Sequence, residues 1–296
     1  MKFRSLMQQS AMLTVLLVSC ATRAQIYDSS GVNQLTLDQA ISSVTAGTIL
    51  IIGEVHGQAP VRDQQLSILN TLRAAGHKVS VGMEFFYYPD QAAVQDYRKG
   101  LLTNEELIKA VGWTGFDIGL YTQQLLFPRN EFGEAGLAIN SPKSLTRQIS
   151  QQGLNSLSDD QKKLMPPDYL QGNENYRERF YNIMSGGHVP DSKLDNYFQA
   201  QSTWDETMAW QSLEFMKNNI DQVFVIIVGE FHVQYGGGLP ASLNRRIQLM
   251  GLADKINVKT ISQITTEGLT TEQITESILP STKYGPRADY LFLVNP

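Results

Sequence analysis

Two stretches decide the fold: Thr48-Ile49-Leu50-Ile51-Ile52-Gly53-Glu54-Val55-His56 and Val223-Phe224-Val225-Ile226-Ile227-Val228-Gly229-Glu230-Phe231-His232. In each, a short apolar run rich in β-branched residues leads straight into Gly-Glu-x-His. A run of that length closed by glycine reads as a strand buried on both faces. If the two strands are parallel neighbours, both tetrapeptides emerge at one edge of the sheet, where open α/β sheets hold their ligands. Side chains two apart on extended backbone share a face, so the Glu and His of each copy are expected to point together.

Working outward, Leu35 to Val44 reads as a short helix, and Val61 to Ala75 carries Val61, Leu66, Leu69 and Leu72 at helical spacing before Gly76. Val79 to Val81 is a second short strand running into Gly82-Met83-Glu84, which completes a βαβ unit. From Asp90 to Phe132 the text is helical and aromatic-rich. Leu137 to Asn140 reads as a strand, followed by a helix over Lys143 to Gln151. Ser156 to Asn219 has no strand text, and Lys193 to Lys217 reads as one long helix. A helix from Pro240 to Met250 and closing strands over Ile256 to Ile261 and Tyr290 to Val294 follow. The expected fold class is α/β: a mostly parallel sheet flanked by helices, with an inserted helical subdomain. The expected division is 1–19 signal peptide, 20–46 tether and lead-in helix, 47–155 with 220–296 as the α/β core, and 156–219 as the helical subdomain.

The start of the chain has its own signature. Lys2 and Arg4 precede an apolar stretch, Ala11 to Val18, too short for a bilayer span of about 20 residues. Leu17-Val18-Ser19 then leads to Cys20, the single cysteine. This reads as a secretory signal and resembles the bacterial lipobox, with Cys20 as the lipidated residue and a bacterial cell-envelope, outer-membrane location as the expectation. A cleaved signal with a chance cysteine is the alternative. One cysteine excludes an intrachain disulfide. Without the leader the balance is 22 basic against 29 acidic residues, net −7, with no cluster of Lys and Arg that would mark a nucleic-acid surface.

The candidate site is Glu54, His56, Glu84, Glu230 and His232, since Glu84 follows its strand as the paired glutamates follow theirs. Imidazole and carboxylate are ligands for divalent metals, which makes Glu54, His56, Glu84 and His232 a candidate metal set. The same five residues are candidate catalytic groups, because burial and like charges push a glutamate toward acid–base work. Histidines that merely satisfy backbone groups at strand ends are the bland alternative. Gly236-Gly237-Gly238 ahead of a helix is either an anion-binding turn or a flexible connection.

Five motifs in order resemble the ChaN-like proteins: Gly53-Glu54-Val55-His56-Gly57, Gly82-Met83-Glu84-Phe85-Phe86, Asn140-Ser141-Pro142, Gln201-x-x-Trp204-Asp205-Glu206-x-Met208-Ala209, and Gly229 to Pro240. They cover residues 47 to 250. The resemblance implies a haem-binding lipoprotein serving haem or iron acquisition, in a superfamily with Tiki proteases and erythromycin esterases. It implies a homodimer enclosing two stacked haems, with a tyrosine of one subunit on each iron and a His and a Lys of the other on the propionates. By region, Tyr169, Tyr176 and Tyr181 are the candidates for iron, with Tyr235 as an outsider, and His188 and Lys193 for the propionates. Glu230 departs from the family pattern, which often has a small residue there. A metal-dependent hydrolase or protease built on the Glu/His site is the competing expectation.

Overall fold

The runs Thr48–Glu54 and Val223–Gly229 are buried along their whole length, so neither strand has a solvent face. The computed structural model describes residues 25–186 and 189–295. In chain order it contains β1 (Gln25–Asp28), β2 (Gln34–Leu35), α1 (Leu37–Ile41), β3 (Thr48–Glu54), α2 (Ala59–Ala74), β4 (Val79–Tyr87), α3 (Gln91–Arg98), α4 (Asn104–Val111), α5 (Thr122–Leu126), β5 (Gly136–Asn140), α6 (Lys143–Gln152), α7 (Asp159–Lys162), α8 (Glu174–Met184), α9 (Leu194–Met216), β6 (Val223–Gly229), α10 (Leu239–Leu249), β7 (Asn257–Thr265), α11 (Thr271–Ile278) and β8 (Tyr290–Val294). The expected signal peptide and Cys20 lie outside the described residues. Among those described, no helix is long and apolar enough to cross a membrane.

All eight strands form one sheet in the order β2-β1-β8-β7-β3-β6-β4-β5. It is parallel except for β1, which runs antiparallel to both of its neighbours. β3 and β6 are adjacent and parallel, with Gly53 opposite Val228 and Glu54 opposite Gly229. The two tetrapeptides therefore leave the sheet side by side at its carboxyl edge.

Strand alternation splits the core into two layers. Leu50, Ile52, Val81, Met83, Val225 and Ile227 pack with Ile68, Leu69 and Leu72 of α2 on one face. On the other, Ile49, Ile51, Phe224, Ile226 and Val228 meet Met208, Leu213 and Met216 of α9 and Leu239, Leu243 and Ile247 of α10. The described residues between 156 and 219 contain α7, α8 and α9 and no strand, as the absence of strand text predicts. Their longest helix, α9, is one wall of the sheet itself and also packs on α6, α10 and β5.

Two differences from the sequence reading have physical causes. Gln25 to Ser30, read as a tether, contains β1; one buried apolar residue, Ile26, is too little pattern to declare a strand, and its partner β8 lies at the far end of the chain. β4 continues past Gly82 to Tyr87, although glycine usually weakens a strand. Gly82 is needed for clearance: a Cβ there would sit 2.6 Å from Cζ of Phe224. We expect Gly82→Ala to lower the unfolding free energy by about 1–3 kcal/mol through overpacking, measured by urea denaturation with an unchanged slope.

Candidate functional site

β3 ends on Glu54, and the chain turns through His56 and Gly57 into α2. The Glu54 carboxylate is buried and ringed by partners. Its Oε1 accepts a 2.6 Å hydrogen bond from the Tyr121 hydroxyl and lies 2.9 Å from Nδ1 of His56. Its Oε2 accepts from Nε2 of Gln65 at 2.5 Å. Tyr121 also accepts from the Gly57 amide at 2.9 Å, which pins the turn carrying His56. The His56 ring is about one-third exposed and is packed by Phe85 and Phe116, at centroid distances of 5.1 and 5.5 Å. Among the described residues its Nε2 has no hydrogen-bond partner. Burial disfavours charge on this imidazole, but Glu54 and Glu84 outweigh it and raise its pKa above the ordinary 6.5.

The second tetrapeptide has the same text and another shape. Glu230 to His232 form a turn of 3₁₀-helix, where residues two apart diverge instead of sharing a face. Glu230 therefore points away from His232. Its Oε1 accepts from the Ser262 hydroxyl at 2.5 Å and from Nε of Arg287 at 2.9 Å, while its Oε2 is buried without a partner among the described residues. The expectation that each Glu and His point together holds for the first copy and fails for the second.

His232 is buried between two acids. Its Nδ1 lies 2.7 Å from Asp205 on α9, and its Nε2 lies 3.5 Å from Glu84 on β4. Burial lowers an imidazole's affinity for a proton, but Asp205 and then Glu84 reverse this and lift His232 to about 10. Burial would raise Glu84; the charge on His232 prevails and brings it down to about 2. The other Glu84 oxygen accepts from the Gly229 amide at 2.5 Å. Behind Asp205 stands Tyr176, whose hydroxyl donates to Oδ2 at 2.8 Å. The glycine-rich turn makes room for that ring: a Cβ on Gly238 would lie 2.9 Å from the Tyr176 hydroxyl, and one on Gly237 3.1 Å from the ring. Close packing against Tyr176 is a role that neither reading of Gly236-Gly237-Gly238, as an anion-binding turn or as a flexible connection, anticipates.

The first histidine and Glu84 open on a cleft of about 260 Å³ whose walls include Phe85, Trp113, Phe116 and Trp204. Asn140 and Lys143 also line it. Glu54, His56, Glu84 and His232 thus gather at one sheet edge, with Glu230 turned aside. The expected divalent-metal site is corrected: among the described residues, no three His, Cys, Asp or Glu side chains are placed to hold one cation. The reason is that the donors already have protein partners. Asp205 and Glu84 face the two nitrogens of His232, and Tyr121, Gln65 and His56 surround Glu54.

The haem candidates scatter. Tyr176 is fully buried in the chain to Asp205, so its hydroxyl is not presented to any ligand. Tyr169 donates to the Gln199 carbonyl at 3.3 Å, and burial pushes it up to about 12. Tyr181 donates to Asp195 near the end of α8 and accepts from Arg177 at 3.1 and 3.2 Å. Tyr235 adopts φ 59° with the Arg179 guanidinium 4.7 Å from its ring centre. Lys193 donates to the Gln151 carbonyl at 2.6 Å. His188 lies outside the described residues.

Sequence reasoning missed Tyr121, Gln65 and the part played by Tyr176. Asp205 and Glu206, read only as part of the fourth motif, are both buried: Asp205 binds His232, and Glu206 accepts from Arg245 and Arg246 at 2.6 and 2.5 Å. The available signal was an acidic pair in a helix whose neighbours on every side are apolar or small.

The family model described as haem-binding uptake, Tiki superfamily, ChaN matches residues 40–243. The chain belongs to this family. Among solved structures, cofacial-haem-binding ChaN of Campylobacter jejuni superposes with a TM-score of 0.63 at 16% identity, covering 93% of this chain and 98% of that one. That likeness is one of fold. A mutant erythromycin esterase in its open conformation gives a TM-score of 0.44 at 12% identity over 86% of this chain and 78% of its own. Protein RETICULATA-RELATED 5, chloroplastic, of Arabidopsis thaliana is 25% identical over 228 residues, 70% of this chain; the match spans 31% of that protein's length.

The His232 clamp generates a pH prediction. His232 has a raised pKa, so its stabilisation is complete below the ordinary 6.5 and fades as pH climbs toward 10. Glu84 has a lowered pKa, so its share is complete above 4.5 and fades as pH falls toward 2. We expect the thermal midpoint of the native chain to drop more steeply than that of His232→Gln as pH rises from 6.5 to 10, measured by circular dichroism.

Proposed function

We propose that this protein binds haem in the ChaN manner, as a lipoprotein anchored in the bacterial cell envelope, on the outer membrane, through Cys20, and that it serves haem or iron acquisition. The observation that carries this reading is the family match across residues 40–243. The fold likeness to a protein whose haems bind cofacially supports a homodimer that forms around a stacked haem pair. Leu17-Val18-Ser19 before the single cysteine supports the anchor.

Among the tyrosines, Tyr181 is our choice for the iron ligand. It is partly exposed at the end of α8, unlike Tyr176, and a phenolate is a hard donor suited to ferric haem. Partial burial and Asp195 keep the hydroxyl protonated in the free protein. Once that proton is displaced by iron, Arg177 beside the oxygen offsets the phenolate charge. Exposed Ile183 and Tyr197 provide apolar surface on the same pair of helices. Lys193, and His188 beyond the described residues, are assigned to the propionates of the partner's haem.

Haem titration followed by absorbance and sedimentation tests this. A Soret band that saturates with dimerisation is expected, and Tyr181→Phe should bind at least roughly tenfold more weakly, while Tyr235→Phe stays near the native protein. Absence of a saturating band removes the haem reading; a full band in Tyr181→Phe removes only the assignment of the ligand.

A further inference from the structure

We propose that the small cavity beside the first turn of α8 is a binding site for short-chain carboxylates, built on the Arg179 guanidinium. Among the described residues two arginines are buried, Arg179 and Arg246. Arg246 is neutralised by Glu206, whereas Arg179 makes no ion pair and hydrogen-bonds only to Gln234 among the described residues. Its Nη1 donates to the Gln234 carbonyl at 2.7 Å, and its Nη2 to the Gln234 side-chain oxygen at 3.0 Å. A guanidinium carries five N–H groups in a fixed fork. Three of them are therefore without an acceptor among the described residues. Burying a cation with no counter-charge is unfavourable, and neutral amide oxygens offset only part of that cost. Three rings surround the group, with the guanidinium carbon 4.7 Å from the ring centre of Tyr235, 5.0 Å from Phe231 and 5.8 Å from Tyr176. Such rings attract a cation but do not cancel its charge. They fix it in place.

Arg179 lines a cavity of about 50 Å³, together with Asn173, Asn175, Tyr235 and Tyr284. That is several times the space one water needs, and it admits a carboxylate on a short stem. The Asn175 amide and the Tyr235 hydroxyl have no hydrogen-bond partner among the described residues, so both can donate to an anion held there. The surrounding charges are already matched. Arg287 pairs with Glu230 at 2.9 Å, and Lys283 pairs with Glu178, which also accepts from the Tyr284 hydroxyl at 3.2 Å. The surplus is one positive charge, which suits a monoanion better than a phosphate carrying up to two negative charges. A planar guanidinium and a planar carboxylate also match in bidentate geometry. The site does not depend on the haem reading. Arg179 and Tyr181 are two residues apart on α8, about 200° around its axis, and Tyr181 does not line the cavity.

The probe is sodium acetate titrated into the full chain without haem, at ionic strength held constant with sodium chloride, and sodium phosphate is the second arm. Binding is followed by proton–nitrogen magnetic resonance of the arginine Nε–H groups, with the Arg179 signal assigned through Arg179→Lys. A saturable shift of that signal with acetate is expected, and phosphate should bind more weakly. Acetate should also raise the thermal midpoint of the native chain by mass action. That rise should shrink in Arg179→Lys, which keeps the charge and loses the fork, and vanish in Arg179→Gln. Asn175→Asp provides a variant that keeps the buried guanidinium: position 175 is exposed in the first turn of α8, where an acid favours the helix. Like-charge repulsion should weaken its acetate binding roughly tenfold or more, with circular dichroism checking the fold. No saturable shift with acetate, unchanged affinity in Asn175→Asp, or tighter binding of phosphate than of acetate would overturn the proposal.

Discussion

A positive charge enclosed between helix and sheet is the constraint on which this architecture depends. His232 leaves the end of β6 and meets buried Asp205 from α9 and Glu84 from β4, which also faces the cleft. Enclosing three ionisable groups is costly, and a well-packed apolar replacement is often as stable. Removing one member leaves another charged and alone, which costs about 3–5 kcal/mol in comparable buried pairs. The arrangement therefore fixes geometry more than it adds stability. It sets the rotation of α9 against the sheet, holds Glu84 ionised beneath the cleft, and keeps Tyr176 enclosed by glycines.

The two Gly-Glu-x-His copies show how one tetrapeptide takes two roles. Both follow buried strands in adjacent register, so position in the sheet is shared. The first remains extended through Glu54 and then turns at Gly57, which brings acid and imidazole into one pair. The second coils at once into a 3₁₀ turn and sends its acid toward Arg287 and its imidazole toward Asp205. The partners, more than the motif, determine the outcome.

This also explains what the sequence disclosed. β3, β6 and the edge they share were legible because strands buried on both faces carry unbroken β-branched text. The helices α2, α6, α9 and α10 were legible to within two residues from spacing and end signals. β1 and β2 were hidden because short edge strands have little pattern of their own and draw stability from distant partners. In the site, Glu54, His56, Glu84 and His232 were readable from repetition. Tyr121, Gln65 and Asp205 were not, since each reaches the site through tertiary packing from a helix or loop with an ordinary local sequence.

Family membership accounts for the chain as a haem binder. The sheet edge that gathers Glu54, His56 and Glu84 is braced by charged His232, held between Asp205 and Glu84. Nitrogen-15 chemical shifts of the imidazoles in histidine-labelled protein, assigned with His232→Gln, measure that charge directly. At pH 8 the account predicts that both ring nitrogens of His232 carry protons. A neutral ring there, titrating near the ordinary 6.5, would contradict it.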